Sequence, residues 1–524
     1  MDAHALLSRY FTNTDRPVFA LTNLPETVKG ALFARYSRSP KSLRQLFVDE
    51  FAGDLAEAGE SGTSNVGVER AEKLYGKVFN DYGDDSVAQL GGVHLACENV
   101  SNLLTKIIER GRLMAYLEQS TRYIPYTDRT GGVWRYHVPA ELDGHPLRSL
   151  YVRSLDETFE VYAKWIDPLR EYFEKKYPKV AGDSDAVYRS ATRAKALDTL
   201  RGLLPAATQS NVGIYGTGQA YEALILRMRA HPLAEVRDYA DQMLTELRKV
   251  IPAFLTRVDQ PERGGVWTQY LAETRARMQE MAVRMAGHAE PDHRAEVTLS
   301  DFDPDGEVKV VAAALYTVTD LPDDQLLDIA RTMSIGERAS VLAAYVGNRT
   351  NRRHKPGRAF ERTSYRFDIL TDYGAFRDLQ RHRLMTIDWQ SLTTRHGHIR
   401  PEAIIDAGAG ADWDAAMARS GELFEALTAA GMHDVAQYAV SLAYRVRFIM
   451  DMNAREAMHV IELRTAPAGH PAYRRVCQQM HTLIADHANH HAIADAMKFT
   501  DHSAVELERL QEERRLEKKR QERA

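Results

Sequence analysis

One short stretch occurs twice in this sequence, and an internal duplication limits the possible folds more than any other feature. Residues 110–122 read Arg-Gly-Arg-Leu-Met-Ala-Tyr-Leu-Glu-Gln-Ser-Thr-Arg, and residues 381–393 read Arg-His-Arg-Leu-Met-Thr-Ile-Asp-Trp-Gln-Ser-Leu-Thr. The copies begin 271 positions apart and share both arginines, the Leu-Met pair, the glutamine and the serine. The first copy lacks the histidine, and the second lacks the glutamate and the last arginine. This pattern predicts two repeats that have divided one set of chemical roles.

A second pair of similar segments follows in the same order. After each copy comes an amphipathic stretch that ends in Leu-Arg, and then His-Pro. Arg227 precedes His231 in the first half, and Arg464 precedes His470 in the second. Two coincidences in one order favour duplication over chance. We therefore predict a first repeat in residues 1–260, a junction in 261–300, a second repeat in 301–503 and a charged helical tail in 504–524.

Apolar spacing predicts a helix-rich α+β fold, with the two repeats forming a pseudo-dimer. Three stretches have the spacing of one helical face, and a fourth alternates like a strand. The junction is expected to contain a helix from Trp267 to Ala289. The predicted helical faces are Leu103, Leu104, Ile107 and Ile108; Tyr221, Leu224, Ile225 and Met228; and, less regularly, Phe448, Met452, Met458 and Ile461. The predicted strand places Tyr365, Phe367 and Ile369 on one side.

Composition excludes several classes of protein. The 524 residues have a net charge of -5, so nothing drives the whole chain towards nucleic acid or acidic membranes. No apolar run approaches the length of a membrane span, and Met1 to Pro17 has no signal-peptide core. Only Cys97 and Cys477 are present, both in apolar stretches typical of inert core thiols. We expect a cytoplasmic protein without membrane or nucleic-acid partners.

The second copy of the repeated stretch begins with a cationic cluster. Arg381 and Arg383 flank His382. Guanidinium groups bind phosphate or carboxylate through two hydrogen bonds and keep their charge, so the cluster suits an anionic ligand. The alternative is pairing with nearby acids, for which Glu361, Asp368, Asp372 and Asp378 are candidates.

A second cluster follows in the same half. In a helix, Arg455 and His459 are four residues apart and share a face, with Asn453 at the helix start and Arg464 further along. An amide, a guanidinium and an imidazole on one face can hold a nucleotide through its phosphate, ribose and base. The alternative is a polar face in solvent.

The third cluster lies in the first half. Glu118, Ser120 and Arg122 alternate, and in an extended loop they would point the same way. They offer an acceptor, a hydroxyl and a cation, which together can hold an imide and a phosphate. A turn-forming role for Ser120 is the alternative.

Together these segments resemble the flavin-dependent thymidylate synthases. That family's signature is Arg-His-Arg, two residues, Ser, one residue, Asn-Glu, one residue, Ser, one residue, Arg. The first copy departs from it at Gly111, Ala115 and Leu117, and the second departs at Trp389 and Thr393. The first copy matches at Arg110, Arg112, Glu118, Ser120 and Arg122, and the second at Arg381, His382, Arg383 and Ser391.

The resemblance extends to other positions. Asn453, Arg455 and Arg464 match the family's Asn-x-Arg helix that ends in Leu-Arg. Glu361 stands where the family has an acidic flavin contact, with Gln89 as its counterpart in the first half. The family's substrate-phosphate arginine is matched by Arg201 and replaced by Gln437 in the second half. The remaining match in the first half is Arg227.

The resemblance implies an FAD-dependent enzyme that methylates dUMP with methylenetetrahydrofolate and NADPH as co-substrates. In that family each site lies between subunits of a homotetramer, so a fused chain is expected to form a homodimer with two complete and two inactive sites. The implied cofactor-binding residues are Glu361, Arg381, His382, Arg383, Asn453, Arg455 and His459. The implied substrate-binding residues are Arg201, Glu118, Ser120, Arg122 and Arg464, of which Arg464 and Ser120 would be catalytic.

Two alternatives fit the same residues. A non-catalytic or repurposed family member would bind flavin or nucleotide only, and a related flavin enzyme would act on another uracil-containing substrate. No dinucleotide-binding motif is predicted, because Gly216 and Gly218 lack a third glycine. His487, His490 and His491 are expected to form a solvated patch, and no metal site is predicted.

Overall fold

The computed structural model describes residues 3–36, 39–50, 89–122, 124–181, 183–505, 507 and 510–522. The chain divides into two compact units. The first contains residues 1–100, 107–119 and 210–290, and the second contains residues 101–106, 120–209 and 291–524. The first unit contains first-half and junction residues, whereas the second combines first-half segments with the second half. The predicted repeats are defined by sequence similarity, whereas these units are defined by compactness in space. The repeat boundaries therefore stay a prediction.

The predicted helix-rich α+β class is confirmed, since helices outnumber strands in the described residues. The strands are β1 (Gly92–Ser101), β2 (Met114–Glu118), β3 (Arg129–Thr130), β4 (Val133–Trp134), β5 (Gln209–Thr217), β6 (Val297–Phe302), β7 (Ser364–Asp372), β8 (Thr386–Trp389) and β9 (Arg445–Asn453).

The helices are mostly eight to twenty residues long. They are α1 (Ala3–Tyr10), α2 (Glu26–Tyr36), α3 (Leu43–Glu50), α4 (Asn102–Ile108), α5 (Leu147–Lys176), α6 (Asp185–Leu200), α7 (Gly218–Arg229), α8 (Ala234–Leu247), α9 (Val266–Ala286), α10 (Gly306–Tyr316), α11 (Asp323–Thr332), α12 (Ile335–Val346), α13 (Tyr373–Leu379), α14 (Glu402–Asp406), α15 (Gly410–Ala429), α16 (His433–Ala436), α17 (Ala454–Arg464), α18 (Pro471–Thr482), α19 (His491–Ala496) and α20 (Leu510–Gln521).

The two main sheets have the same strand order. In the first unit, β5 lies between β1 and β2, and it runs antiparallel to β2. In the second unit, β9 lies between β7 and β8 and runs antiparallel to both, with β6 added beside β7. A helix follows β1, β5, β7 and β9 in each case. The sequence repeat therefore corresponds to a repeated strand-and-helix pattern.

Within the second unit, equivalent backbone segments from the two sequence halves pair with each other. Ala206 N–H donates to Val440 O at 2.8 Å, and Leu442 N–H donates to Leu204 O at 2.9 Å. Ala206 and Leu442 are 236 positions apart, as are Leu204 and Val440, so each bond becomes the other when the segments are exchanged. Such reciprocity is the property of a two-fold, self-complementary contact.

Equivalent bonds within each half occur where a strand enters its helix. Leu103 N–H donates to Ala206 O, and Gly374 N–H donates to Leu442 O, both at 3.1 Å. Leu103 and Gly374 are 271 positions apart, the spacing of the repeated stretch. Four backbone bonds thus follow the duplication inferred from sequence alone.

Most expectations from apolar spacing are confirmed. Tyr365, Phe367 and Ile369 are buried on β7, the predicted faces of α4 and α7 are largely buried, and α9 and α20 lie in the junction and the tail. One expectation was wrong: Phe448 and Met452 belong to strand β9, where alternate residues are buried, and the helix begins only after Asn453. The spacing of four residues between Phe448 and Met452 fits both periods, which explains the error.

A buried ion pair joins α17 to the segment after α12. The Arg349 guanidinium donates to both carboxylate oxygens of Glu462, at 2.7 and 2.6 Å, and their side chains are 2% and 1% exposed. Arg349 also donates to the carbonyl of Ala496. Because both charges are desolvated, each depends on the other for compensation.

We expect Arg349→Met to lower the free energy of unfolding by about 3–5 kcal/mol, since it leaves Glu462 buried and unpaired. Arg349→Met combined with Glu462→Met should recover most of the loss. Arg331→Met, which removes an exposed pair with Asp328, should change stability by about 1 kcal/mol or less. Urea unfolding followed by fluorescence measures all three. Equal losses in the single and double variants would show that the charge pair itself is not responsible.

Candidate functional site

The start of α17 is built by its capping residue. The Asn453 side chain accepts a hydrogen bond from Glu456 N–H, which satisfies a free donor of the first turn. This cap places Arg455 beside Glu361, with Nη1 donating to Oε1 at 3.3 Å, while Arg455 Nε donates to Pro356 O. Glu361 also accepts from Arg358. Three of the predicted cofactor residues therefore lie at one helix end.

A buried imidazole connects this helix to the repeated stretch. His382 is 6% exposed, and its Nε2 accepts a hydrogen bond from Arg464 Nε at 2.9 Å. On the other side its Nδ1 lies 3.7 Å from Glu456 Oε1, and its ring meets that of His459 edge to face at 5.5 Å. A ring nitrogen that accepts from a guanidinium carries no proton, so the structure implies the tautomer with hydrogen on Nδ1.

Burial and nearby charges keep the two imidazoles of this neutral cluster uncharged. Burial lowers the pKa of His382 well below its usual value, and the charges of Arg464 and Lys355 lower it further. Burial also lowers the pKa of His459 to about 4 and raises that of Glu456. The two histidines therefore offer hydrogen bonds without positive charge.

The same three side chains could hold a metal ion, because ligand atoms of His382, Glu456 and His459 lie within 4.8 Å of one another. Arg464 already occupies one nitrogen of His382, and Lys355 adds a repelling charge close by. We interpret the group as a hydrogen-bonding cluster. The expectation that the protein uses no metal stays a prediction.

The second part of the site centres on one carboxylate. Asp378 lies 3.5 Å from Arg201 and 3.9 Å from Arg381, with 14% of its side chain exposed. Burial would raise its pKa, but the charges of Arg201, Arg381, Arg464 and Arg122 outweigh this effect and lower the pKa to about 2. The carboxylate is therefore ionised, and arginines from both sequence halves converge on it within one unit.

The predicted substrate arginines keep part of their donor capacity. Arg122 is held by Asp198, to which its Nε donates at 2.8 Å. Arg201 is 4% exposed, and its Nη2 is buried without a hydrogen-bond partner among the described residues. Since a buried unpaired donor is costly, the free Arg201 nitrogen marks a place where an anion would be stabilised.

The third predicted cluster is only partly assembled. Strand β2 ends at Glu118 and the chain turns at Thr121 and Arg122, so the expected single extended loop was wrong. Ser120 Oγ accepts the Arg122 N–H at 3.2 Å, which is the turn-forming alternative. Glu118 is buried opposite Val212 in the first unit, whereas Ser120 and Arg122 belong to the second.

Two further predicted residues face solvent. Arg381 and Arg383 are exposed, and so is Lys355, whose charge acts on His382 and His459. Together with Arg455 they form a basic surface around the neutral cluster. Such a surface suits a ligand with a diphosphate group.

Sequence reasoning missed several residues of the site. Glu456 follows Asn453 by three positions, the spacing of a capping signature, and this signal could have found it. The sequence predicts Asp378 only as a neutralising partner of the arginines. Tyr473 and His470 carried no sequence signal beyond the repeated His-Pro. The Tyr473 ring lies 5.4 Å from the Arg464 guanidinium. Burial lowers the pKa of His470, and the charge of Arg201 lowers it further.

In the first unit, a hydrogen bond between two glutamines stands at the position of the second half's ion pair. Gln89 Nε2 donates to Gln219 Oε1 at 2.7 Å, in the place that the Arg455–Glu361 ion pair occupies in the second half. The predicted counterpart relation between Gln89 and Glu361 is thus supported by an equivalent contact. A charged pair has been replaced by an uncharged one.

Other candidate residues are structural. Burial raises the pKa of Cys97 to about 11 and that of Cys477 to about 12, so both thiols are unreactive, as expected. The prediction of a solvated histidine patch was wrong for His490. This residue is buried, and a hydrogen bond joins its Nδ1 to the Tyr365 hydroxyl. In the described part of the chain, no helix is both long and apolar enough to cross a membrane.

His382 should stay neutral between about pH 5 and 8, with its hydrogen on Nδ1. Its folded pKa lies far below 6.5, whereas the unfolded chain takes up a proton near that pH. The resulting stability is complete above about pH 6.5 and is lost as the pH falls. Nitrogen-15 NMR of histidine-labelled protein tests this, with His382→Gln identifying the signal. Titration of that signal near pH 6.5 would contradict the buried geometry.

The family model described as "Thymidylate synthase complementing protein" matches residues 31–253 and 298–488. A UPF0159 protein of Chlamydia muridarum is 38% identical, over 97% of this chain and 97% of its own length. A UPF0159 protein of Thermoplasma acidophilum is 28% identical, over 93% of this chain and 97% of its own. These relatives are similar from end to end.

Two further similarities are partial. A flavin-dependent thymidylate synthase of Clostridium tetani is 27% identical over 38% of this chain and 78% of its own length. The crystal structure of a UMP/dUMP methylase PolB from Streptomyces cacaoi, bound with 5-Br dUMP, covers 40% of this chain and 99% of its own, at 19% identity and a TM-score of 0.31. That TM-score is too low to support an argument.

Proposed function

Since this chain belongs to the Thymidylate synthase complementing protein family, which includes flavin-dependent thymidylate synthases, we propose that it methylates dUMP to dTMP. The reaction would use FAD, with methylenetetrahydrofolate and NADPH as co-substrates. One observation carries the proposal: Arg122, Arg201 and Arg464, from distant parts of the sequence, converge on Asp378. Three cations directed at one region suit a nucleotide phosphate and an ionised pyrimidine.

Arg464 connects the two parts of the proposed site. Its Nε donates to His382 in the neutral cluster, and its charge acts on Asp378 among the substrate arginines. A ligand bound at the basic surface and a second ligand bound near Arg201 would therefore be close to the same guanidinium. Such placement of two reactants is the main contribution that a protein makes to cofactor chemistry.

The residues present fit a bound flavin nucleotide. Arg381, Arg383 and Lys355 are exposed cations that would hold its phosphates, while Asn453, Arg455 and Glu361 offer donors and an acceptor at the start of α17. When bound, reduced FAD supplies the hydride that completes the methyl group.

The arginines would act on the pyrimidine through preorganised charge. His382 fixes Arg464 by accepting its Nε hydrogen, and Asp378 holds Arg201 and Arg381 in place. The free Nη2 of Arg201 would donate to the substrate phosphate. Arg464 would stabilise negative charge that develops on the ring, without reorganising during the reaction.

We further propose that each chain is a fused pseudo-dimer and that two chains associate. The reciprocal backbone bonds of residues 204–206 and 440–442 support the first statement. For the second, α9 has no buried side chain in the described structure and presents one apolar stripe along its length. Exposed apolar patches of this kind are typical of protein interfaces. The stripe consists of Tyr270, Met278, Met281 and Met285.

A non-catalytic nucleotide-binding protein is the alternative. It is favoured by Ser120, whose hydroxyl oxygen is already used to accept the Arg122 N–H in a turn. Such a protein would bind flavin or dUMP without turnover. A flavin enzyme that acts on another uracil-containing substrate would use the same site.

Activity is tested by tritium release from dUMP labelled at carbon 5. We expect the purified protein to be yellow and active, and Arg464→Gln to lower turnover by about 10²-fold or more while retaining flavin. Arg383→Ala should lose flavin, whereas Arg395→Ala, which changes an exposed arginine of the same segment paired with Glu425, should not. Flavin binding without tritium release would support the alternative, and colourless protein that FAD cannot reconstitute would exclude the enzyme.

Self-association is tested by light scattering. We expect a mass of about twice 59.2 kDa, and Met278→Glu should reduce it to that of one chain because it places a charge within the stripe. Gln279→Glu adds the same charge one position away, off the stripe, and should leave the mass unchanged. A wild-type monomer, or equal effects of both variants, would exclude α9 as the interface.

A further inference from the structure

The first unit contains a basic cavity at the place of the lost first-half site. Its volume is about 590 Å³, within the usual range for small-molecule sites. Among the described residues that line it, five are arginines and one, Glu222, is acidic and pairs with Arg257 at 2.7 Å. The arginines are Arg110, Arg112, Arg227, Arg257 and Arg263.

The cavity exists because small residues have replaced large ones. Gly111 stands where the second half has His382, and Ala220 and Ala223 stand where it has Glu456 and His459. The three side chains that fill the cluster in the second half are thus absent from the first. The first-half copy cannot form the same neutral cluster, and a cavity lined by arginines lies beside these positions.

One of these arginines has two buried donor groups that no described residue satisfies. Arg227 Nε and Nη2 are buried without a hydrogen-bond partner among the described residues. Burial lowers the pKa of Arg227, and the charge of Arg110 lowers it further. A desolvated guanidinium without a partner destabilises the free protein, and a bound anion would remove that cost.

The cavity also offers a surface for a planar group. Trp267 lines it with 49% of its surface exposed, and Leu113 lines it with 73% exposed. An indole can stack on a ring while guanidinium groups hold an anion. Among common ligands, a nucleoside phosphate combines the two features.

We propose that this cavity is a second ligand site, separate from the proposed catalytic site, that binds a nucleoside monophosphate through Arg227 and Trp267 without acting on it. The site rests on the geometry of the first unit and does not require thymidylate synthesis. Its ligand would stabilise the protein in proportion to its concentration, as any ligand specific for the folded state does.

Calorimetric titration of the full chain with dUMP, and separately with inorganic phosphate, tests this proposal. We expect two dUMP sites per chain, one of which is weakened about ten- to a hundredfold by Arg227→Gln. Arg464→Gln should weaken the other. If the chain is not a thymidylate synthase, the Arg227-dependent site should remain and Arg464→Gln should leave it unchanged. Phosphate binding that is insensitive to Arg227→Gln would overturn the proposal, as would dUMP binding that is insensitive to it.

A second variant tests the same site without removing the arginine. Ala223→Glu places a carboxylate one helical turn before Arg227, where it would supply an internal counter-ion. It should raise the melting temperature of the free protein and abolish the Arg227-dependent binding, while Ala223→Gln should do neither. Arg227→Met should also raise the melting temperature of the free protein. If Ala223→Glu or Arg227→Met lowered the melting temperature and left dUMP binding unchanged, Arg227 would have a structural role and the proposal would be wrong.

Discussion

The candidate site depends on one carboxylate that stays ionised inside the protein. Asp378 is mostly buried, and desolvation alone would favour its neutral form. Four arginines reverse that preference, and in return the carboxylate allows them to lie close together despite their mutual repulsion. Arg201 and Arg122 come from the first half of the sequence, and Arg381 and Arg464 come from the second. The ionised Asp378 therefore holds together chemistry that neither half carries alone.

Duplication explains both the shared framework and the differences within it. The backbone bonds between residues 202–207 and 438–443 are reciprocal, so the framework has retained its symmetry. The polar side chains have not: an ion pair between Glu361 and Arg455 corresponds to a bond between Gln89 and Gln219. Backbone pairing constrains position and leaves side chains free to change. Once one copy had the charged set, the other copy was no longer constrained to keep it.

The sequence predicted those parts of the molecule that are determined by short stretches of the chain. The repeated stretch, the strand at Tyr365, the helix ending at Arg464 and the cap at Asn453 all depend on residues close in the chain. The site's centre does not. Asp378 is one acid among many in the sequence, and its importance comes from Arg201, which lies far away in the chain but 3.5 Å away in space. Long-range electrostatics leave no local pattern, and burial could not be assigned before the fold was known.

The same limit explains the error at Ser120. Alternation of Glu118, Ser120 and Arg122 looks like an extended segment, but a serine hydroxyl can equally bind the backbone two residues ahead. Sequence cannot separate these outcomes because both use the same residue at the same spacing. The structure decides for the turn, and the turn has a consequence for the site. Beyond this turn, Arg122 donates to Asp198, which fixes its guanidinium. The guanidinium held in this way is one of the four whose charges keep Asp378 ionised.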